Sequence, residues 1–93
     1  MSSALSGSLI LITGASSGIG RAASHEFVRR GARVIGVARS IERLEQLSED
    51  LGGPDRFVPI AGDVALPESI ESVVRRVLDG IGLPDVVLSL IHI

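Results

Sequence analysis

The residues with the clearest chemical potential are Thr13-Gly14-Ala15-Ser16-Ser17-Gly18-Ile19-Gly20. They follow an apolar run, Leu9-Ile10-Leu11-Ile12, and precede a helix-like pattern that begins at Ile19. Strand, glycine-rich turn and helix N-terminus in that order suit a diphosphate. Glycines let backbone N–H groups come close to phosphate oxygens, and the positive end of the helix dipole favours their charge. A P-loop is excluded, because Gly20 is followed by Arg21-Ala22 where that loop needs Lys and Ser or Thr. The same glycines would also serve a tight strand-to-helix connection that holds no ligand.

The elements that must position this turn can be read from hydrophobic periodicity. Leu9–Thr13 is a continuous apolar run, as suits a strand buried on both faces of a parallel sheet. Ile19, Ala22, Ala23 and Phe27 recur at helical spacing as the inner face of a first helix, with Arg21, His25 and Arg29 opposite and Gly31 at its end. Residues 33–37, rich in β-branched side chains, form a second strand. Ser40 is placed to cap a second helix whose inner face is Ile41, Leu44, Leu47 or Ser48, and Leu51, and which Gly52-Gly53-Pro54-Asp55 breaks. Phe57–Ala61 is a third strand, put at a sheet edge by Pro59, which lacks a ladder donor. Pro67 opens a third helix with an inner face of Ile70, Val73, Val74, Val77, Leu78 and Ile81. Residues 85–88 begin a fourth strand. Alternation with short loops implies right-handed βαβ crossovers, a parallel sheet of order 3-2-1-4, and a ligand at the switch point beside the glycine turn.

The composition agrees with one soluble α/β unit. Of 93 residues, 45% are apolar and 22% charged, with two Phe and no Tyr or Trp, so the core must be aliphatic. A net charge of −2 provides no electrostatic footprint for nucleic acid or an anionic membrane. The absence of Cys removes disulfides and thiolate metal sites. No apolar run approaches the ~20 residues of a membrane span. The first seven residues lack the basic and apolar segments of a secretory leader, so a cytoplasmic location is expected. His25 falls on a solvated helix face with no second ligand nearby. Glu42, Glu45, Glu49, Asp50, Glu68 and Glu71 lie on helix surfaces and form no acid–base pair in a cleft.

The spacing Thr-Gly-x-x-x-Gly-x-Gly resembles the fingerprint of the short-chain dehydrogenase/reductase family, and the resemblance extends to about Val87. It implies a Rossmann-type fold and the N-terminal half of one NAD(P)-binding domain. It also implies that Gly14, Gly18 and Gly20 make the turn while Ser16, Ser17 and Ile19 lie along the cofactor's phosphate and ribose path. Ala38 occupies what resembles the family's acidic position at the end of the second strand, where a carboxylate would bond the ribose hydroxyls and repel a 2′-phosphate. Arg39 follows, and its guanidinium fork suits a phosphate dianion, with Ser40 as a further donor. This looks like an NADP-preferring pattern, with NAD the lesser expectation; the rival reading of Arg39 is an exposed loop arginine. Asp63 and Val64 resemble the family's Asp-Val pair, in which the acid accepts from the adenine amino group and the apolar neighbour packs on the ring. Asp63 would also serve as an ordinary helix-preceding acid.

The family pattern stops after the fourth strand. There the family continues with Asn-Ala-Gly or Asn-Asn-Ala-Gly, whereas this chain reads Leu88-Ser89-Leu90-Ile91-His92-Ile93. The string CTGTCTCTTATACACATC, a transposon end used to build sequencing libraries, encodes LSLIHI, so residues 88–93 are expected to be non-native. The family's catalytic Ser and Tyr-x-x-x-Lys are absent, and the sequence contains no Tyr or Lys. By resemblance the intact protein would be an oligomeric oxidoreductase acting on a small carbonyl or alcohol, and these residues alone would be inactive. The rival readings are a non-catalytic dinucleotide-binding or redox-sensing module and, more remotely, a methyltransferase, whose glycine loop lacks this spacing.

Overall fold

A computed structural model describes residues 5–16 and 18–89. Its elements are β1 (Leu9–Thr13), α1 (Gly18–Arg29), β2 (Arg33–Ala38), α2 (Ile41–Leu51), β3 (Phe57–Ala61), α3 (Pro67–Gly80) and β4 (Val86–Ser89). The four strands are parallel in the order β3-β2-β1-β4, as the alternation predicts. Pro59 lies on the β3 edge strand opposite Gly36, where its missing donor costs no ladder bond.

Alternate residues of each strand face opposite sides of the sheet. Ile10, Ile12, Val34 and Phe57 pack under α1 and α2 with Val28, Leu44 and Leu47. On the other face Ile35, Val37 and Ile60 gather with Val77 of α3. Phe57 is wholly buried, and its ring occupies the space that a side chain at Gly36 would need. Ser48 of α2 donates its hydroxyl to the Phe57 carbonyl at 2.8 Å, tying the helix to the edge strand. At the opposite edge Asp85 clamps the start of β4 to β1: its carboxylate accepts from the Leu9 amide, and its own amide donates to the Leu9 carbonyl, both at 2.8 Å.

Three helix faces differ from the periodicity reading. In α1 the buried residues are Gly20, Ser24 and Val28, while Ile19 and Ala22 are exposed and Ala23 and Phe27 are partly buried. The side-chain-free Gly20 lets α1 close onto the glycine turn, and Ser24 satisfies its hydroxyl by donating to the Gly20 carbonyl at 2.8 Å. In α2 Ser40 caps as expected, accepting from the Arg43 amide, and Leu44, Leu47 and Ser48 are buried, but Ile41 is exposed at the helix entry. In α3 only Val77 is fully buried, with Val73 and Ile81 half-buried; Ile70, Val74 and Leu78 are 42–50% exposed. No second helix among the described residues packs beside α3 on that face, so half of its apolar stripe lies open.

The same openness reaches β4, where Val86 and Val87 are 46% and 64% exposed on an edge strand. An apolar edge with unpaired backbone groups templates pairing with another chain. The chain by itself is therefore expected to self-associate as its concentration rises. Light scattering checks this, and a monomer that melts cooperatively at all concentrations would contradict it.

Candidate dinucleotide-binding site

The register of the sheet brings the chemically distinctive residues to one end. Thr13 of β1 lies opposite both Val37 of β2 and Ser89 of β4, and Ala38 lies opposite Ala61 of β3. The carboxyl ends of the strands therefore form one edge, from which the glycine turn, Arg39-Ser40 and Gly62-Asp63 emerge side by side. The strand order reverses here, since α1 leads from β1 outward to β2 whereas α3 returns from β3 to β4 on the other side of β1, the arrangement that leaves a crevice above β1.

The turn is fixed to the neighbouring strand before any ligand arrives. The amides of Gly14 and Ala15 donate to the Val37 carbonyl at 2.8 and 3.4 Å. Gly14 and Gly18 have φ of 73° and 54°, a backbone region that side chains disfavour. Gly20 meets a different demand, because a Cβ there would overlap the Gly14 carbonyl oxygen. Held this way, α1 starts at Gly18, and its first-turn amides have no partners within the helix. Ser16 is half-buried beside them and Ile19 is 75% exposed. Ser17, which the sequence places on the same path, lies outside the described residues.

At the β2 tip Ala38 is half-buried and Arg39 is exposed, with no hydrogen bond or ion pair for the Arg39 guanidinium among the described residues. Ser40 accepts the Arg43 amide at 3.4 Å, which leaves its hydroxyl proton free to donate. Asp63 is half-buried and ordered by its own loop. One carboxylate oxygen accepts the Ala65 amide at 3.0 Å, and its amide donates to Ser69 Oγ at 2.8 Å. Val64 is 48% exposed beside it. Gly14, Ser16, Gly18, Ile19, Gly20, Arg39, Ser40, Asp63 and Val64 are thus all at the same sheet end.

Three residues at this end escape a reading by linear motif. Arg21 of α1 and Arg43 and Gln46 of α2 join Ser16, Gly18 and Leu47 around a cavity of about 360 Å³. Thr13 and Ser89 also link β1 to β4 through their hydroxyls at 3.2 Å. Ion pairing elsewhere is structural: Arg29 and Arg30 hydrogen-bond Glu26 and hold its carboxyl down to about 2 on the far side of α1. Among the described residues no group of three His, Asp or Glu side chains is placed to hold a metal, and no helix is long and apolar enough to cross a membrane.

Comparison with known proteins decides the family. Residues 8–89 match the family described as short chain dehydrogenase. The chain belongs to the short-chain dehydrogenase/reductase family. Among curated members, it is 36% identical over 80 residues to an NADPH-dependent pterin aldehyde reductase of Arabidopsis thaliana, covering 86% of this chain and 33% of the relative. It is 44% identical over 71 residues to a serine 3-dehydrogenase of Agrobacterium fabrum, covering 76% of this chain and 28% of that enzyme. Among solved members, L-sorbose reductase from Gluconobacter frateurii, complexed with NADPH and L-sorbose, superimposes with a TM-score of 0.89 at 35% identity, covering 100% of this chain and 36% of that one. This short-chain dehydrogenase/reductase chain thus spans about a third of the length of these relatives.

Proposed function

We propose that this chain is the NADP(H)-binding half of a short-chain dehydrogenase/reductase. In this reading the intact protein transfers hydride between NADP(H) and a small carbonyl or alcohol. The observation that carries the reading is the pair Ala38-Arg39 at the β2 tip beside the glycine turn. No carboxylate stands there to repel a 2′-phosphate, and the exposed Arg39 guanidinium has no partner among the described residues. The glycine turn fits a dinucleotide, since the close approach at Gly20 and the left-handed Gly14 and Gly18 expose the first-turn amides of α1.

The residues divide the work by position. Ser16, Ser17 and the amides after Gly18 would hold the diphosphate, and Ile19 would pack along the ribose path. Arg39 and Ser40 would hold the 2′-phosphate, while Asp63 and Val64 would border the adenine. Bound nicotinamide would supply the hydride. The proton transfer that accompanies it needs a general acid, which typically contributes roughly 10²–10⁴ in rate. The sequence contains no Tyr or Lys for that role, so the assignment for these residues is binding and orientation. The names of the relatives, which refer to a pterin aldehyde, serine and sorbose, support a small-molecule substrate for the intact protein. A homo-oligomer located in the cytoplasm completes the proposal.

Arg39→Ala tests the assignment. A charged hydrogen bond contributes about 1.5–3 kcal/mol, which corresponds to roughly ten- to a hundredfold in affinity. NADPH binding should weaken by that factor while NADH binding stays within about twofold. Fluorescence titration of both cofactors measures the difference, and an equal loss for the two would remove the assignment.

A further inference from the structure

The geometry points to Ser69 as the residue that positions Asp63 for adenine, acting from the first turn of α3 through the backbone of the 62–66 loop. This rests on the reading of Asp63 and Val64 as the adenine border and deepens it by naming what holds that border in place.

The loop that carries Asp63 has three anchors. At its start the Gly62 amide donates to the Ala38 carbonyl at 2.9 Å, tying the loop to the tip of β2. At its end the Leu66 amide donates to the Asp63 carbonyl at 3.0 Å, closing a turn into α3. Between them the Asp63 amide donates to Ser69 Oγ at 2.8 Å, an anchor supplied by a side chain on another element. Gly62 makes this approach possible. A Cβ there would stand 2.7 Å from Val73 Cγ2 and 3.4 Å from Ser69 Oγ, so the loop lies directly against α3.

The hydroxyl serves the loop and not the helix. Leu66 stands at the N-cap of α3 with no side-chain acceptor, and Pro67 follows it without an N–H. Ser69 reaches back past this cap, and α3 must be folded and docked for it to arrive. The bond is part-buried, so without the hydroxyl the Asp63 amide loses its partner where water replaces it poorly. The loop would then turn to pair that amide, and the Asp63 side chain would move with its backbone. That side chain is half committed: Oδ1 accepts the Ala65 amide at 3.0 Å, while Oδ2 has no partner among the described residues. One oxygen sets the orientation of the carboxylate, and the other is left to accept from an amino group. Its aim depends on the Ser69 bond, whereas the glycine turn and Arg39-Ser40 are held by other contacts.

The test titrates the 93-residue chain with NADPH and with its analogue carrying hypoxanthine, which has a carbonyl oxygen where adenine has its amino group. The unsubstituted chain should prefer NADPH by roughly tenfold. Ser69→Ala should weaken NADPH roughly fivefold and leave the analogue within about twofold, so that the preference falls to about twofold. Ser69→Thr and Ser69→Val share one shape and differ in the hydroxyl. Threonine should keep the preference and valine lose it, and this pair carries the measurement if the alanine variant loses its circular dichroism. Asp63→Ala should remove the preference outright. Equal weakening of both ligands by loss of the hydroxyl makes Ser69 a structural residue only and overturns the inference. A preference that survives in Ser69→Ala and Ser69→Val but is lost in Asp63→Ala also overturns it, while leaving Asp63 at the adenine. A preference that survives in Asp63→Ala, or is absent from the unsubstituted chain, overturns the adenine reading of Asp63 and this inference with it.

Discussion

Gly20→Ala is expected to abolish measurable dinucleotide binding. A Cβ at this position would overlap the Gly14 carbonyl oxygen and stand 2.9 Å from both the Gly14 carbonyl carbon and the Ala15 Cα. All three are backbone atoms, so no side-chain rotation can relieve the contact. Either α1 lifts away from the turn or the turn gives up the bonds from Gly14 and Ala15 to Val37. Overpacking of this kind costs about 1–3 kcal/mol in stability. The cost to binding is expected to be larger, because both adjustments move the amides that would face the phosphates in the proposed complex, and each ~1.4 kcal/mol lost is tenfold in affinity. Gly18→Ala provides the contrast. Nothing lies within 4 Å of a Cβ there, so the change meets only the left-handed backbone, at about 1–2 kcal/mol. NADPH titration alongside thermal melting separates them. Gly20→Ala binding NADPH as well as Gly18→Ala would show that close packing of helix on turn is not what shapes the site.

Phe57→Ala should produce the largest loss of stability in the chain. The ring is fully buried, lies against Gly36 of β2 and joins the cluster beneath α1 and α2. Removing a buried Phe side chain typically costs about 3–5 kcal/mol, against a total stability of roughly 5–15 kcal/mol for a native domain. Relaxation into the space is poorly served here, because the residue opposite the ring is glycine and has no side chain to move inward. The main consequence for function passes through β2, which ends at Ala38 and positions Arg39. A loosened β2–β3 ladder should weaken NADPH binding as well as lower the urea midpoint. An unchanged midpoint would show that the aliphatic clusters alone hold the sheet.

The order of elements and the glycine turn are legible in the residues themselves. Strands buried on both faces read as continuous apolar runs, and Leu9–Thr13 and Phe57–Ala61 lie where the runs predict. Pro59 marks its own edge, and Ser40 its own cap, because each acts through local backbone chemistry. Helix faces are less legible, since periodicity identifies an apolar stripe but not which part of it is covered. Ile19 belongs to the stripe of α1 and is exposed, while Gly20 and Ser24 do not and are buried. The close contact with Gly14 decided that, and no hydropathy pattern contains it. In α3 the stripe is real, but among the described residues this helix lies alone on that face of the sheet and buries fully only Val77.

The site divides along the same line. TGASSGIG and Ala38-Arg39 are local signals, in which the residue types at their spacing mark a tight strand-to-helix turn and a cation at a strand tip. Arg21 and Arg43 carry no such signal. They are far apart in the chain, on the faces of two helices that the linear pattern assigns to solvent. They become neighbours because βαβ handedness places α1 and α2 on the same side of the sheet. Sequence alone determined that a glycine-rich strand-to-helix turn exists and where its glycines fall. Only the packing of α1 against α2 decided which distant side chains border it, because a wall shared by two helices is a property of their approach and of neither helix by itself.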